Sequence, residues 1–582
     1  MPLEPTLLDG TDQFRVMQAA AREADRALHA TLASANGGIS PASAIQAFLD
    51  WAIHLGLSPG KQLALSQRAL QTLVGLNWWM VHGGEPPLRP APRDARFRSE
   101  SWRIWPFDWM QQAFLGAETW WQSATSGVGG ITRHHEQLAA FFARQWLDLF
   151  SPSNFAWGNP DVILRTWRSA GLNFTQGAAN LWEDLVRAQR QEPPVGAERF
   201  TPGVQVALTP GKVVLRNDLI ELIQYQPSTP SVFPEPVLLV PAWIMKYYIL
   251  DLSPHDSLVK YLVDRGHTVF AISWKNPDAS DRNLSLDDYR RLGLMAAVDA
   301  VSDIAGGRRI HAVGYCLGGT LLAIGAAAMA READQRLASL TLLAAQTDFT
   351  DPGELGLFVD ESQLTFLEAL MQRQGFLKGE QMAATFQLMR SVDLIWSRIV
   401  REYLMGERAP MTDLMAWNAD ATRMPARMHS EYLRELFLEN RLATGRLRVD
   451  GRPIALADVR LPIFCVGTQT DHVAPWRSVY KLHLLTDAEI TFALTSGGHN
   501  VGVVNPPLES SYSYQLAVRA AEGPYVDPDA FVREAHPEPG SWWPAWRVWL
   551  EQRSGPMGAP PALGSAACPA QDDAPGRYVH VR

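Results

Sequence analysis

The spacing of apolar side chains divides the chain into two parts. From residue 12 to about 190, segments such as DQFRVMQAAAREADRALHATLA and QLALSQRALQTLVGLNWWMVHG carry apolar residues three and four positions apart. This is the period of amphipathic helices. Proline- and glycine-rich stretches at 83–95, 151–160 and 191–203 interrupt the pattern. The sequence therefore predicts an all-helical N-terminal domain over residues 1–200.

Beyond residue 200 the period changes. Short runs rich in Val, Ile, Leu and Phe alternate with helical segments, at 236–243, 267–274, 310–315, 339–345, 461–468 and 490–494. Continuous apolar strands separated by helices are typical of a parallel sheet covered on both faces. Residues 201–582 are therefore predicted to form an α/β domain.

Two segments of this domain depart from the alternation of strands and helices. Residues 346–460 separate the fourth and fifth apolar runs, a connection too long for a loop, and are mostly helical in pattern. We interpret them as a helical cap insertion. The tail from about residue 555 is rich in Pro, Ala and Gly, and this composition predicts a poorly ordered segment.

Composition and charge exclude several classes of function. The chain has 582 residues, with 52 basic and 61 acidic side chains and a net charge of -9. Such a balance provides no broad basic surface for nucleic acid. The most apolar stretch, 321–330, falls far short of the roughly 20 residues of a membrane-spanning helix, and the N-terminus lacks the pattern of a secretory signal. We expect a cytoplasmic, soluble protein without a membrane span.

Tryptophan is unusually frequent in the N-terminal part. The chain has 21 tryptophans, and more than half of them precede residue 183. Indole rings fill the contacts between packed helices, but they also suit a surface that contacts an oily phase. Both interpretations stay open at the level of sequence.

Cys316 stands at the junction of a predicted strand and a predicted helix. In GYCLGG, 314–319, glycines lie two residues before and two residues after it. This is a G-x-C-x-G form of the nucleophile elbow, in which a tight turn leaves no room for side chains at those two positions. The N-terminus of the following helix favours a thiolate. The alternative is a buried core cysteine with glycine neighbours by chance.

A thiol nucleophile needs a base, and the base needs an orienting carboxylate. Asp471 follows the apolar run 461–468, and His499 follows 490–494, so the order nucleophile, acid, histidine is that of α/β-hydrolases. We predict Cys316, Asp471 and His499 as the catalytic triad. The backbone N–H groups of Leu317 and Ile244 are the predicted oxyanion hole.

The choice of cysteine over serine also suggests the kind of acyl donor. Transfer from a coenzyme A thioester to a thiol forms another thioester and keeps the acyl group activated. The next acceptor then decides the reaction, because water gives a hydrolase and a hydroxyl gives an ester. The other two cysteines, Cys465 and Cys568, are too few and too scattered for a disulfide framework or a zinc cluster, so no metal site is expected.

Ordered sequence blocks from about residue 100 to the C-terminus resemble the single-subunit poly(3-hydroxyalkanoate) synthases. They include SPSNFAWGNP, WIMKYYILDLSPHDSLVKYL, GYCLGGT, WNADATRMP, TDHVAPW, GHNVGVVNPP, GSWWPAW and PGRYV. The resemblance implies an α/β-hydrolase fold and activity on (R)-3-hydroxyacyl-CoA, with release of CoA and a growing polyester chain on the cysteine. It implies no cofactor, since coenzyme A enters with the substrate. A homodimer bound to polyester granules is expected.

The same resemblance implies roles for individual residues. Cys316 is the nucleophile, His499 is its base, and Asp471 either orients that base or helps to activate the incoming 3-hydroxyl. The substrate pocket is expected to be lined by His472, Arg390 and Trp417.

The chain also departs from the family pattern. Met245 stands where Asn is expected, and Asn500 stands where an apolar residue is usual. The first hundred residues match no familiar block, so granule binding there is a hypothesis that rests on the helices and the tryptophans. Two other functions stay open. One is a cysteine-dependent polyester depolymerase or dienelactone-hydrolase-like hydrolase, and the other is a non-catalytic granule-coating protein.

Overall fold

The computed structural model describes residues 10–35, 38–91, 94–507 and 511–582. The chain forms two compact units: the first comprises residues 1–39, 196–381 and 412–582, and the second comprises 40–195 and 382–411. This division differs from the predicted boundary at residue 200. The first 39 residues belong with the α/β unit, and part of the predicted cap belongs with the helical unit.

The first unit is built on a ten-stranded sheet. Its strands are β1 Gly211–Arg216, β2 Ile220–Tyr225, β3 Val237–Val240, β4 Val269–Trp274, β5 Ile310–Tyr315, β6 Leu337–Leu343, β7 Ile463–Thr468, β8 Ile490–Thr495, β9 Ser513–Arg519 and β10 Pro537–Pro539. The spatial order is β1-β2-β4-β3-β5-β6-β7-β8-β9-β10.

The six predicted strands are the six central ones, β3 to β8, and neighbours among them pair in parallel. The prediction of a central parallel sheet is confirmed. The outer strands β1, β2, β9 and β10 pair antiparallel, and the sequence pattern missed them. Every residue of β3 to β8 is buried, which is why these strands are mostly apolar runs. β2 is also fully buried but contains Glu221 and Gln224, so it has no such run.

Eighteen α-helices lie in the described part of the chain outside the sheet. They are α1 Gly10–Ala35, α2 Pro41–Gly56, α3 Pro59–His82, α4 Phe107–Ala124, α5 Arg133–Leu149, α6 Pro160–Arg168, α7 Leu172–Gln189, α8 Leu258–Val263, α9 Leu286–Asp288, α10 Ala296–Ile304, α11 Leu317–Arg331, α12 Glu361–Gln374, α13 Gly379–Met389, α14 Asp413–Asn418, α15 Ala426–Tyr432, α16 Trp476–Tyr480, α17 Pro528–Glu534 and α18 Trp543–Glu551. Among the described residues, none of these helices is both long enough and apolar enough to cross a bilayer.

The second unit joins two distant segments of the chain. Helices α2 to α7 lie in its first segment, and Asn173 of α7 donates to the Leu404 carbonyl of the second segment at 2.7 Å. Asp148, at the end of α5, is buried and accepts hydrogen bonds from Ser391 at 2.8 Å and from Arg96 at 3.2 Å. These buried polar contacts explain why residues 382–411 pack with the N-terminal helices.

Helix α1 packs on the cap helix α12 of the first unit. Ala33 is fully buried against Phe366 and Leu370, and the His29 ring lies 6.1 Å from that of Phe366. A short apolar contact of this kind leaves no distinctive signal in the sequence, because α1 is amphipathic like the helices that follow it. The predicted domain 1–200 is therefore corrected at its N-terminal end.

The prediction of a poorly ordered tail from about residue 555 is wrong. The Val213 N–H donates to the Asp572 carbonyl at 2.9 Å, and the Ala574 N–H donates to the Gly211 carbonyl at 2.9 Å, so the tail runs along the open edge of β1. Buried Glu221 of β2 accepts hydrogen bonds from the N–H groups of Arg577 and Tyr578. The tail has few helices or strands, but its backbone groups find partners on the sheet.

The variant Glu221→Gln tests how the tail is held. The Glu221 carboxylate accepts hydrogen bonds from Arg216 and from the tail. In glutamine an NH₂ group replaces one carboxylate oxygen, and this new donor would face the N–H donors of Arg216 or the tail. We expect a loss of about 3 kcal/mol in unfolding free energy and faster proteolysis of residues 555–582. Denaturant unfolding and limited proteolysis measure the two effects. Asp218→Asn, at an exposed neighbouring carboxylate, is the control, and equal cleavage of both variants would contradict the prediction.

Candidate active site

Cys316 occupies a strained turn between β5 and α11. Its φ of 52° and ψ of -122° lie in a region that side-chain-bearing residues rarely adopt. A Cβ on Gly314 would lie 2.3 Å from the Gly319 Cα, and a Cβ on Gly318 would lie 2.1 Å from the Val240 carbonyl oxygen. Both glycines are therefore required by the close approach of helix and strands, as the elbow predicts.

The turn is anchored on the neighbouring strand. The Cys316 N–H donates to the Leu343 carbonyl, at the end of β6, at 2.9 Å. The residue is only 9% exposed, and it is the N-cap of the 15-residue helix α11. The N-terminus of a helix carries a partial positive charge that favours negative charge on a group placed beside it.

The other two members of the triad follow β7 and β8. Because β5, β7 and β8 run parallel, their carboxyl ends lie at one edge of the sheet. The His499 imidazole donates from Nδ1 to Oδ2 of Asp471 at 2.7 Å, and the ring is near enough to Cys316 for that residue to raise the pKa of the imidazole. The structure thus brings together the three residues selected by chain order.

Asp471 is held by four hydrogen bonds. Its Oδ1 accepts from the N–H groups of Val473 and Ala474 at 2.8 and 2.9 Å, and its Oδ2 accepts from the Thr468 hydroxyl at 3.0 Å as well as from His499. Burial raises the pKa of the Asp471 carboxyl, but the His499 charge and these hydrogen bonds outweigh it and hold the pKa below its ordinary value. Asp471 is a fixed, ionised acceptor.

The His499 imidazole is poised in its protonated form. Burial lowers the pKa of this ring, but the charges of Asp471 and Cys316 and their hydrogen bonds overcome the effect and raise the pKa well above its ordinary value. The raised pKa favours an imidazolium beside the Asp471 carboxylate. An imidazolium next to a thiol is a proton donor at the site of a nucleophile.

The two predicted oxyanion donors belong to neighbouring segments. Leu317 begins α11, and Ile244 lies in the loop that follows β3. Within the described part of the chain, neither N–H donates to another backbone carbonyl. The contact of Gly318 with the Val240 and Pro241 carbonyls brings the two segments together. Because these two N–H groups lack backbone acceptors in that part of the chain, their role as oxyanion donors stays a prediction that this geometry allows.

The Ile244 loop is fixed by the segment that contains Trp417. The buried Trp417 indole donates to the Lys246 carbonyl at 2.8 Å, and the Thr422 N–H donates to the Ile244 carbonyl at 3.1 Å. The Tyr248 hydroxyl donates to Asp420 at 3.0 Å. Trp417 thus supports the Ile244 loop, and its role as a pocket residue, implied by the family resemblance, stays a prediction.

The remaining predicted residues have less direct roles in the structure. His472 follows Asp471 on the same loop, is partly buried, and accepts a hydrogen bond at its carbonyl from Glu354 N–H at 3.4 Å. Arg390 lies outside the unit that holds the triad, is about half exposed, and pairs with Asp393. The pocket roles of both residues stay predictions.

Sequence reasoning missed three residues at the site. Thr468 holds Asp471, and Tyr315 packs its ring 5.6 Å from that of His499. Tyr432, in α15, is close enough for burial and the Cys316 charge to raise the pKa of its phenol well above the ordinary value. Tyr315 and Thr468 lie next to or near predicted site residues in the sequence, so proximity along the chain could have identified them. Tyr432 lies in the predicted cap, but nothing in the sequence marked it as a residue of the site.

The fold and the site define a cysteine-containing α/β-hydrolase. A family profile described as "alpha/beta hydrolase fold" matches residues 235–506. A second, "Poly-beta-hydroxybutyrate polymerase (PhaC) N-terminus", matches 93–262, and "Poly-beta-hydroxybutyrate polymerase N terminal" matches 19–61. The last match extends the likeness into the first hundred residues, for which sequence analysis found no familiar block.

Curated relatives match over most of the chain. A poly(3-hydroxyalkanoate) polymerase from Methylorubrum extorquens is 40% identical and covers 86% of this chain and 82% of its own. The polymerase subunit PhaC of Rhizobium meliloti is 39% identical, covering 88% and 83%, and that of Cupriavidus necator is 34% identical, covering 92% and 91%. The chain belongs to the poly(3-hydroxyalkanoate) polymerase family, and it is an enzyme of the acyltransferase type.

The variant Gly318→Ala tests the elbow geometry. The added Cβ would collide with backbone oxygens of β3 and its loop, which cannot move aside, so α11 and Cys316 must shift. We expect a fall of about 10²-fold in turnover, the effect of a 1 Å misplacement of a reacting group. The steady-state rate of acyl transfer measures it.

Gly325→Ala is the matched control in the same helix. There the added methyl meets only the Leu294 Cδ2, the end of a flexible side chain. Turnover close to that of the parent enzyme is expected for the control. Equal activity of the two variants would contradict the role assigned to the close approach at Gly318.

Proposed function

We propose that this enzyme polymerises (R)-3-hydroxyacyl-CoA and releases CoA through an acyl thioester on Cys316. The observation that carries the proposal is the hydrogen bond from His499 to Asp471 at the strand ends beside the Cys316 elbow, in a chain of this family. A thiol nucleophile beside an oriented imidazole suits both halves of an acyl transfer.

In the first half the Cys316 thiolate attacks the carbonyl carbon of the substrate thioester. The oxyanion that forms accepts hydrogen bonds from the N–H groups of Leu317 and Ile244. The bond between the acyl carbon and the CoA sulfur then breaks, and the CoA thiolate takes the proton of the His499 imidazolium. The acyl group stays on Cys316 as a thioester, so little of its activation is lost.

In the second half a 3-hydroxyl group attacks the Cys316 thioester. Neutral His499 accepts the hydroxyl proton, the new ester bond forms, and the Cys316 sulfur leaves as a thiolate beside the regenerated imidazolium. The cycle is balanced without any cofactor, because the only reactants are the acyl-CoA and the hydroxyl of a chain or a second monomer. Repetition lengthens a polyester by one unit for each CoA released.

Of the two roles open for Asp471, its contacts support the orienting one. The side chain has no exposed surface, and its two oxygens already accept from Val473, Ala474, Thr468 and His499. A substrate hydroxyl has no free access to this carboxylate. Asp471 therefore acts through His499, as the acid does in serine hydrolases.

Association with a polyester granule is proposed from the surface of the second unit. Six of its tryptophans are more than 60% exposed: Trp78, Trp105, Trp146, Trp157, Trp167 and Trp182. Only Trp102 of this unit is fully buried in a core cluster with Phe97 and Phe114. Exposed indoles with apolar bodies suit contact with an oily phase. A homodimer, expected from the family, stays a prediction.

An assay with (R)-3-hydroxybutyryl-CoA distinguishes the candidate functions. We expect CoA release together with insoluble polyester, whereas free hydroxy acid would indicate a hydrolase and no CoA release would indicate a coating protein. Cys316→Ala is expected to abolish both products. Cys568→Ala, at a half-buried thiol of the tail, is the control and is expected to keep its activity. Near-normal polymerisation by Cys316→Ala would overturn the mechanism.

The pH dependence tests the His499–Asp471 pair. Because the pKa of His499 is raised, its imidazolium is present at neutral pH and its proton is lost only on the alkaline side. Asp471→Asn removes the stabilising charge, so the pKa of His499 falls and the alkaline limb of the rate profile moves to lower pH. Turnover is expected to fall by about 10²- to 10⁴-fold.

Steady-state rates between pH 6 and 10 measure both effects of Asp471→Asn. The exposed carboxylate variant Asp458→Asn serves as the control for the loss of one negative charge. An alkaline limb that stays in place in Asp471→Asn would show that the Asp471 charge does not govern the proton of His499.

A further inference from the structure

A single hydrogen bond joins the neighbours of the nucleophile and the base. Tyr315 directly precedes Cys316, and Asn500 directly follows His499. The Tyr315 hydroxyl donates to Oδ1 of Asn500 at 2.6 Å. This hydrogen bond therefore links β5, which leads to Cys316, directly to the loop that carries His499.

The phenol is suited to this one role. Tyr315 is 2% exposed, and its ring lies 5.6 Å from that of His499 at a tilt of 31°. Burial, followed by the charges of Cys316 and Asp471, raises the pKa of Tyr315 well above its ordinary value. The hydroxyl is thus neutral and permanently able to donate, and its ring covers one side of the imidazole.

Asn500 supplies the acceptor for the Tyr315 hydroxyl. Its backbone carbonyl accepts hydrogen bonds from Val503 N–H at 3.1 Å and Val504 N–H at 2.8 Å, which fixes the main chain of the loop. Its side chain is left to meet Tyr315. An apolar side chain here would leave the buried phenol with no acceptor at Asn500, and a buried hydroxyl without an acceptor is unfavourable.

We propose that Tyr315 and Asn500 form a positioning pair that holds the His499 imidazole against the Cys316 sulfur. The hydrogen bond of His499 to Asp471 restrains one end of the ring, and the Tyr315 ring with the Asn500 bond restrains its position over the thiol. This role rests on the proposed function, in which His499 exchanges a proton with CoA and with the attacking hydroxyl. Neither residue exchanges a proton itself.

A double-mutant cycle tests the pair. Tyr315→Phe removes the donor, Asn500→Leu removes the acceptor with little change in volume, and the third variant carries both. We expect each single variant to lower kcat about 10-fold with KM within about twofold, and the double variant to be no slower than the slower single one. Initial rates of CoA release supply these constants.

The pH profile separates positioning from simple stabilisation. A loosened imidazole interacts less with Asp471 and Cys316, so the alkaline limb of kcat should move to lower pH in both single variants. The control is Tyr514→Phe, which removes a comparable hydrogen bond, from the Tyr514 hydroxyl to Glu538 at 2.7 Å, at the far edge of the sheet. Its pH profile is expected to match that of the parent enzyme even where its melting temperature falls.

Alkylation of Cys316 by iodoacetamide at pH 7 makes the test independent of acyl transfer. The rate reports the thiolate beside His499 and is expected to fall several-fold in each single variant, with Cys316→Ala as the blank. If the parent enzyme released no CoA, the proposed function would fail, yet alkylation would still decide the role of the pair.

Three results would overturn the inference. The first is that the rate losses of the two single variants multiply in the double variant. The second is that the single variants match the parent enzyme in both turnover and alkylation rate. The third is that the single variants have a lower melting temperature but an unchanged pH profile.

Discussion

The whole site depends on how closely α11 approaches the sheet. A helix that starts immediately after a strand must pass over the backbone of β3 and β5 at a distance that excludes any side chain, and Gly314 and Gly318 make this possible. The cost is a strained Cys316, which stays in its conformation because its N–H is bonded to β6 and its carbonyl to Gly319 and Thr320. The sulfur is thereby raised above the parallel strands whose ends deliver Asp471 and His499.

The sheet and the placing of Cys316, Asp471 and His499 at one edge of it were predictable because both follow from short-range rules. Fully buried parallel strands must be continuous apolar runs, and the elbow needs glycine at fixed offsets from Cys316. Asp471 and His499 then follow from chain order alone. The antiparallel strands β1 and β9 were missed because they are half-buried and partly polar, so they carry no long apolar run.

What the sequence did not reveal depends on contacts between distant segments. Residues 382–411 join the second unit through buried partners such as Asp148 and Asn173, and α1 joins the first unit through Ala33. The tail lacks any helical or strand pattern, yet Glu221 and the edge of β1 satisfy its backbone. The composition of a segment predicts only the structure that it forms by itself. It does not predict the hydrogen-bond acceptors that a distant strand provides.

Long-range contacts also hold the loop that contains Ile244. The Cys316 turn is anchored on β5 and β6 and lies close against β3. The Ile244 loop is held from one side by Trp417 and Thr422 and from the other by the tail, since buried Lys246 donates to the Tyr578 and Val581 carbonyls. A change in the cap or the tail therefore acts directly on the Ile244 loop. The conformation of Cys316 depends instead on the close approach of α11 to the sheet.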